Sequence, residues 1–235
     1  PVINAVSPTF GNLDTKKQGW GQGVQFDEQN IPISCTTFQE KYGKYNAKAI
    51  NDEKGTITLT FDQGYENGYT AKILDTLKEK NVKATFFVLQ DYAEKNPELV
   101  QRMIDEGHIV GNHSVTHRSM PELTEEECTK EIKDLHDYIK ENFNYEMTMF
   151  RPPMGEFSEF SLAVTKKCGY ETELWSYAYA DWDVNAQPSE EEAYGKLTGA
   201  LHDGAIYLLH SVSPVNAEIL PDFIDAAIEA GYKFK

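Results

Sequence analysis

From Thr56 onward the chain alternates short apolar runs with amphipathic stretches of ten to twenty residues. That rhythm constrains the fold more than any other feature. The runs cover 56–61, 84–88, 108–111, 147–150, 172–175, 205–209 and 232–234. Short apolar runs of this length read as strands. Between them lie helical patterns. One starts after Asn96 with Pro97 at its first position and stops at Gly107. Another opens with Thr124-x-x-Glu127, a capping box, and carries the stripe Cys128, Ile132, Leu135, Ile139. Further helices fit about 70–80, 158–168, 189–202 and 216–230. Gly107, Gly169 and Gly231 each stand between a helix and a strand, where a left-handed cap is predicted. Strand–helix alternation over seven strands argues for an α/β fold of parallel units. Such units close as a barrel or stay open as a doubly wound sheet, and periodicity alone does not choose.

Residues 1–55 differ. They are rich in Gly, Asn, Gln and Thr, and Gly19-Trp20-Gly21-Gln22-Gly23 reads as loop. The segment is expected to be an extension packed on the main domain, 56–235, gripped through Phe10, Trp20, Phe26, Phe38, Tyr42 and Tyr45. The chain opens at Pro1 without an initiator Met, as expected where a signal peptide or anchor has been removed.

Composition removes several function classes. Hydrophobic residues make up 40% and charged residues 26%, as in ordinary globular domains. No apolar stretch reaches the length of a membrane span. The net charge is -16, and an acidic surface repels phosphate backbones, so nucleic acid is not an expected partner. Cys35, Cys128 and Cys168 form no C-x-x-C pair, and a chain of 235 residues needs no disulfide framework. A monomer is expected.

Polar residues collect just after the strands. Asp62 follows the first run, His113 and His117 the third, Arg151 the fourth, Asp181-Trp182 the fifth and His210 the sixth. In parallel βα folds the C-terminal strand ends converge on one face, which carries the site. The pair His113/His117, spaced i, i+4, allows both imidazoles to reach one metal ion and leaves coordination positions open for water. Asp62 stands too far ahead of the next helix, expected near Thr70, to serve as its N-cap. Arg151-Pro152-Pro153 holds an arginine on a stiff backbone, fit to orient a buried carboxylate.

In this order the residues resemble the polysaccharide deacetylases of the NodB-homology type, carbohydrate esterase family 4. The match covers about three quarters of the chain, from Thr56 to Phe234. Thr60-Phe61-Asp62-Gln63-Gly64 is similar to the first motif, T-F-D-D-G, and His113-Ser114-Val115-Thr116-His117 to the second, H-[ST]-x-x-H. Arg151-Pro152-Pro153-Met154-Gly155 resembles the third, Asp181-Trp182 the fourth and Leu209-His210 the fifth. The stretches Thr60 to Tyr69 and Leu208 to Ser213 are most similar to the branch that forms muramic δ-lactam in the peptidoglycan of spore-forming bacteria.

The resemblance implies a deformed (β/α) barrel with about seven parallel strands, an extracytoplasmic location and a peptidoglycan strand as substrate, N-acetylmuramic acid favoured. It implies His113 and His117 as ligands of a divalent metal, zinc by preference, Asp62 as general base and Arg151 as its orienting partner. His210 becomes the general acid, supported by Asp181. The Met154 N–H is implied at the oxyanion, with Trp182 and Leu209 around the acetyl methyl. Two positions depart from the pattern. Gln63 stands where most of the family has a metal-binding aspartate, and a neutral amide oxygen is a weaker ligand. Met154 stands where Tyr or Arg is usual, which changes the side chain at the substrate. Three other readings stay open: deacetylation of N-acetylglucosamine, chitin oligomers or acetylxylan; a glycan-binding module that has lost catalysis through Gln63; and a structural protein whose polar residues are scattered.

Overall fold

The protein's structure, a computed structural model, describes residues 10–235; Pro1 and the rest of the first nine residues of the extension lie outside the described residues. The strands are β1 (Gln18–Gly19), β2 (Ala47–Lys48), β3 (Thr56–Gln63), β4 (Ala84–Val88), β5 (Ile109–Asn112), β6 (Met149–Phe150), β7 (Glu156–Phe157), β8 (Glu171–Glu173), β9 (Tyr177–Ala178), β10 (Ala205–His210) and β11 (Lys233–Phe234). The helices are α1 (Ile33–Tyr42), α2 (Thr70–Glu79), α3 (Gln90–Lys95), α4 (Pro97–Asp105), α5 (Glu125–Phe143), α6 (Glu159–Lys167), α7 (Glu190–Gly199) and α8 (Pro214–Glu229).

The main sheet runs β2-β8-β6-β5-β4-β3-β10-β9, with β11 beside the start of β3. Every pairing in it is parallel. Chain connectivity forces it to curl. β8 lies next to one end of the order and β9 at the other, yet only residues 174–176 separate them. An extended chain covers at most about 3.6 Å per residue, so the two edges lie within roughly 14 Å. Among the described residues no pairing joins β2 to β9, so the barrel is open along that seam. Helix α1 covers it, with Cys35, Phe38 and Tyr42 packed among Leu174, Trp175, Ile206 and Leu208.

Strand alternation divides the core in two. Ile57, Leu59 and Phe61 of β3, with Tyr207 and Leu209 of β10, face the outer helices. Ile206 and Leu208 face inward, as do Thr58, Thr60 and Asp62 by the same parity. The inner face of β3 is therefore polar and ends in a carboxylate. Gly111 on β5 is required by packing: a Cβ there would stand 2.5 Å from the ring of Phe87.

Local signals in the sequence hold at the helix ends. Thr124 and Glu127 form the reciprocal capping box of α5, and Cys128, Ile132, Leu135 and Ile139 are buried. Gly107, Gly169 and Gly231 take φ of 78°, 89° and 96°. The extension is more structured than its composition suggests: it supplies α1 and an edge strand, β2, which pairs with β8. Phe10, Phe38 and Tyr42 are buried, and Trp20 and Tyr45 pack at the edge of the core. Phe26 does not grip the barrel: it is 49% exposed, because the residues around it turn outward in a loop bridged to Pro32.

Candidate active site

The strand ends gather the polar residues around one cavity of about 530 Å³, lined by Asp62, His113, His117 and His210 together with Met154, Trp175, Tyr179, Trp182 and Leu208. Asp62 and His210 are register partners on adjacent parallel strands. Partners in such a ladder share a face, with strands about 4.8 Å apart. This pairing brings together two residues 148 positions apart.

Arg151 is fully buried and all its hydrogen bonds are made to the barrel wall. Its Nη1 donates to Asp62 Oδ1 at 3.0 Å and to Thr60 Oγ1 at 2.7 Å. Its Nε donates to the Glu173 carbonyl at 2.9 Å and its Nη2 to the Leu174 carbonyl at 3.0 Å. The guanidinium also lies 4.2 Å from the Phe87 ring centre, the ring for which Gly111 makes room. Burial by itself would push the Asp62 carboxyl up. The positive charges around it, His113 where it is protonated together with Arg151 and His210, more than offset burial and hold Asp62 below the usual carboxylate range.

His113 and His117 sit in a tight loop, their ring centres 5.0 Å apart. The loop needs two non-glycine residues in the left-handed region, Ser114 (φ 77°) and His117 (φ 59°). Its hydrogen bonds hold that conformation. The Ser114 N–H donates to Asn112 Oδ1, the His117 N–H to Ser114 Oγ, and Thr116 gives both its N–H and its hydroxyl to the Glu131 carboxylate. A carbonyl only accepts, so the 2.8 Å contact between His113 Nδ1 and the Arg151 carbonyl fixes the proton on Nδ1. Nε2 is then the free lone pair, 3.6 Å from Asp62 Oδ2. Burial pushes His113 down to about 4 and lowers His117 as well, so both imidazoles are neutral at pH 7.

On the other wall Asp181, fully buried, accepts from His210 twice, through the backbone N–H at 2.8 Å and Nδ1 at 2.7 Å. Burial lowers the His210 pKa, but the Asp181 hydrogen bond and charge, with Asp62 adding to them, raise it above its ordinary value. Asn216 was not expected from the sequence. Its Nδ2 donates to Asp181 Oδ2 at 2.6 Å, and its Oδ1 accepts from the Tyr179 hydroxyl. Its signal was available: Ser213 caps α8 by accepting the Asn216 N–H, which fixes Asn216 three residues past the cap, next to His210.

Met154 and Trp182 stand at the cavity rim, 53% and 61% exposed, Met154 with φ 59°. Leu209 requires a correction. It is buried in the outer core against the helices, and Leu208 lines the cavity in its place. The reason is parity: on a strand the cavity-facing His210 shares its face with residue 208, not 209.

The fit to a metal ion rests on the donors present. His113 Nε2 and the His117 ring offer two neutral imidazoles, one oriented by a carbonyl as metal-bound histidines are. Gln63 does not line the cavity. Its Nε2 donates to Ser211 Oγ at 2.5 Å, and its Oε1 is buried without a hydrogen-bond partner. Among the described residues no group of three His, Cys, Asp or Glu stands at ligand spacing. The set fits a loosely held divalent ion with two imidazole ligands and, at most, neutral amide support.

Comparison with known proteins identifies the family. The family model for polysaccharide deacetylase matches residues 41–173. A peptidoglycan-N-acetylmuramic acid deacetylase of Bacillus subtilis, PdaA, is 44% identical over 218 residues, covering 92% of this chain and 82% of that protein. A peptidoglycan-N-acetylglucosamine deacetylase of Bacillus cereus is 33% identical over 189 residues, 80% of this chain and 67% of that one. The solved structure of Bacillus subtilis PdaA, described as a family 4 carbohydrate esterase, superimposes with a TM-score of 0.90 at 39% identity, covering 95% of this chain and 96% of that one. The chain belongs to the polysaccharide deacetylases, the NodB-homology group of carbohydrate esterase family 4.

Proposed function

We propose that the protein removes the acetyl group from N-acetylmuramic acid in peptidoglycan strands, outside the cytoplasm, by general acid/base hydrolysis. The observation that carries the reading is the pairing of Asp62 with His210 across β3 and β10, each backed by a buried partner of opposite charge. Amide hydrolysis needs a base for the attacking water and an acid for the leaving amine. Asp62, held ionised, takes the water's proton. His210, held protonated, delivers one from Nε2 to the departing nitrogen. Arg151 and Asp181 keep these opposite states side by side at neutral pH.

The Met154 N–H is assigned to the developing oxyanion. Trp182, Leu208 and Trp175 border the space for the acetyl methyl. His113 and His117 would hold the divalent metal, zinc by preference, which supplies Lewis-acid polarisation and a more acidic water when bound. Muramic acid is favoured over glucosamine by the greater similarity to the muramic acid deacetylase. The test is acetate release from stem-free peptidoglycan strands, chitooligosaccharides and acetylxylan under a divalent metal. Release from peptidoglycan strands is expected to exceed the other two. Comparable or greater release from chitin or xylan substrates sinks the substrate assignment. Glycan binding without turnover under any metal favours the impaired homologue that Gln63 suggests.

A further inference from the structure

Every second residue from 19 to 23 is glycine, and the fold needs only the last. Gly23 takes φ 71°. Gly19 and Gly21 lie outside the left-handed region, and a Cβ on either would meet nothing within 4 Å. The residues between them do the anchoring. The Trp20 N–H donates to the Gly155 carbonyl, its indole Nε1 to the Trp175 carbonyl, and Gln22 Nε2 to the Ala178 carbonyl, each at 2.9 Å. A glycine in an extended segment loses backbone entropy on folding and returns no packing. Where neither conformation nor crowding demands it, it leaves backbone that a ligand or another chain can approach closely.

That place is a groove of about 580 Å³ between this segment and α1. Its wall adjoins the catalytic cavity, because Gly155, Trp175 and Ala178, to which Trp20 and Gln22 are bonded, line that cavity. Its chemistry is also distinct from the rest of the surface. In a protein of net charge -16 the groove carries no carboxylate among its described residues, and Lys41 is its one charged side chain. Gln18, Gln25 and Thr37 add neutral amides and a hydroxyl.

We propose that this groove is a subsite for further sugars of the strand whose acetamido group enters the catalytic cavity, the bare backbone of Gly19 and Gly21 forming its floor. The proposal rests on the glycan-deacetylase reading above. A stem-free strand presents hydroxyls and acetamides, which suit the neutral amides. Each muramoyl unit adds a lactyl carboxylate, which suits Lys41.

The test measures binding and acetate release on stem-free strands of increasing length with wild type, Gly21→Leu and Lys41→Ala. Wild-type KM is expected to fall as the strand lengthens. Gly21→Leu is expected to keep the wild-type Tm and the wild-type rate on the shortest substrate turned over, while its KM on long strands rises about tenfold. Lys41→Ala is expected to raise the long-strand KM by a factor that shrinks at high salt. A wild-type KM independent of length, an unchanged long-strand KM in Gly21→Leu, or a lowered Tm in that variant overturns the proposal. Length-dependent binding without acetate release supports the subsite and sinks the deacetylase reading; no binding of any strand sinks the subsite.

Discussion

Asp181 accepts both hydrogen bonds that His210 makes on its buried side, the backbone N–H at 2.8 Å and the imidazole Nδ1–H at 2.7 Å. One carboxylate thus fixes the ring's position, its tautomer and its charge, and leaves Nε2 to the cavity. The His210 pKa is raised, so the acid form persists to higher pH than in a free imidazole and is lost as pH rises through that raised value. In Asp181→Asn the lowering effect of burial remains and the raising partner is gone. The alkaline limb of kcat/KM should begin at lower pH, with the plateau rate down by about 10²–10⁴-fold. An alkaline limb at the wild-type position would remove His210 from the role of acid.

Arg151 binds Thr60, Asp62 and two main-chain carbonyls from a fully buried position. Glu173 lies behind it, with Oε1 3.8 Å from Nη2 and Oε2 3.1 Å from Lys48 Nζ. Arg151→Ala leaves two buried carboxyls short of a countercharge. Breaking a buried pair costs about 3–5 kcal/mol. Denaturant unfolding should show a loss of that size. A loss under about 1 kcal/mol would place the pair in the class of solvent-screened ion pairs.

Gly111→Ala brings a methyl to 2.5 Å from the Phe87 ring, which stacks on Arg151. Overpacking of this kind costs about 1–3 kcal/mol. The expected result is a lower Tm together with a slower enzyme, since the ring can move only at the expense of the guanidinium. A variant with unchanged Tm and rate would show that Phe87 has room the structure does not give it.

Leu208 and Leu209 separate packing from catalysis. Both are buried, and either alanine variant should lose about 2–5 kcal/mol of stability. Only Leu208→Ala should change KM per folded molecule, because only Leu208 borders the cavity. The reverse pattern in steady-state kinetics would restore the sequence-based assignment of Leu209.

Metal affinity should be weak, with His113 and His117 as the ligands and Gln63 turned to Ser211 outside the cavity. In competition with a chromophoric chelator His113→Ala is expected to weaken zinc binding, while Gln63→Ala leaves it unchanged. Chelation is expected to abolish acetate release from the wild type, and added zinc to restore it. Weakened affinity in Gln63→Ala would mean that position 63 does reach the ion.

The fold was legible in the sequence where burial writes a pattern. The parallel strands β4 and β10 leave short, mostly apolar runs, β3 alternates Thr with Ile, Leu and Phe, and the glycines at 107, 169 and 231 mark the ends of helices. The two-residue strand β2 leaves no such trace, so it and the seam covered by α1 are hidden in a segment of weak periodicity. At the site, side chains that directly follow strands announced themselves: Asp62, His113, Arg151 and His210 meet in one place. Asn216 lies a turn into α8 and reads as an ordinary helix residue until the Ser213 cap sets its phase. The resemblance implies Leu209 at the acetyl methyl, whereas alternation along β10 puts Leu208 on the face of His210.

Asp62 and His210, paired across β3 and β10, are proposed to hydrolyse the acetamide of muramic acid. Mass spectrometry of stem-free peptidoglycan strands after incubation with wild type, Asp62→Asn and His210→Ala tests it most directly. Loss of acetyl from muramic residues is expected with wild type and almost none with either variant, both folded by circular dichroism. Acetyl loss confined to glucosamine residues, or wild-type loss in both variants, would contradict it.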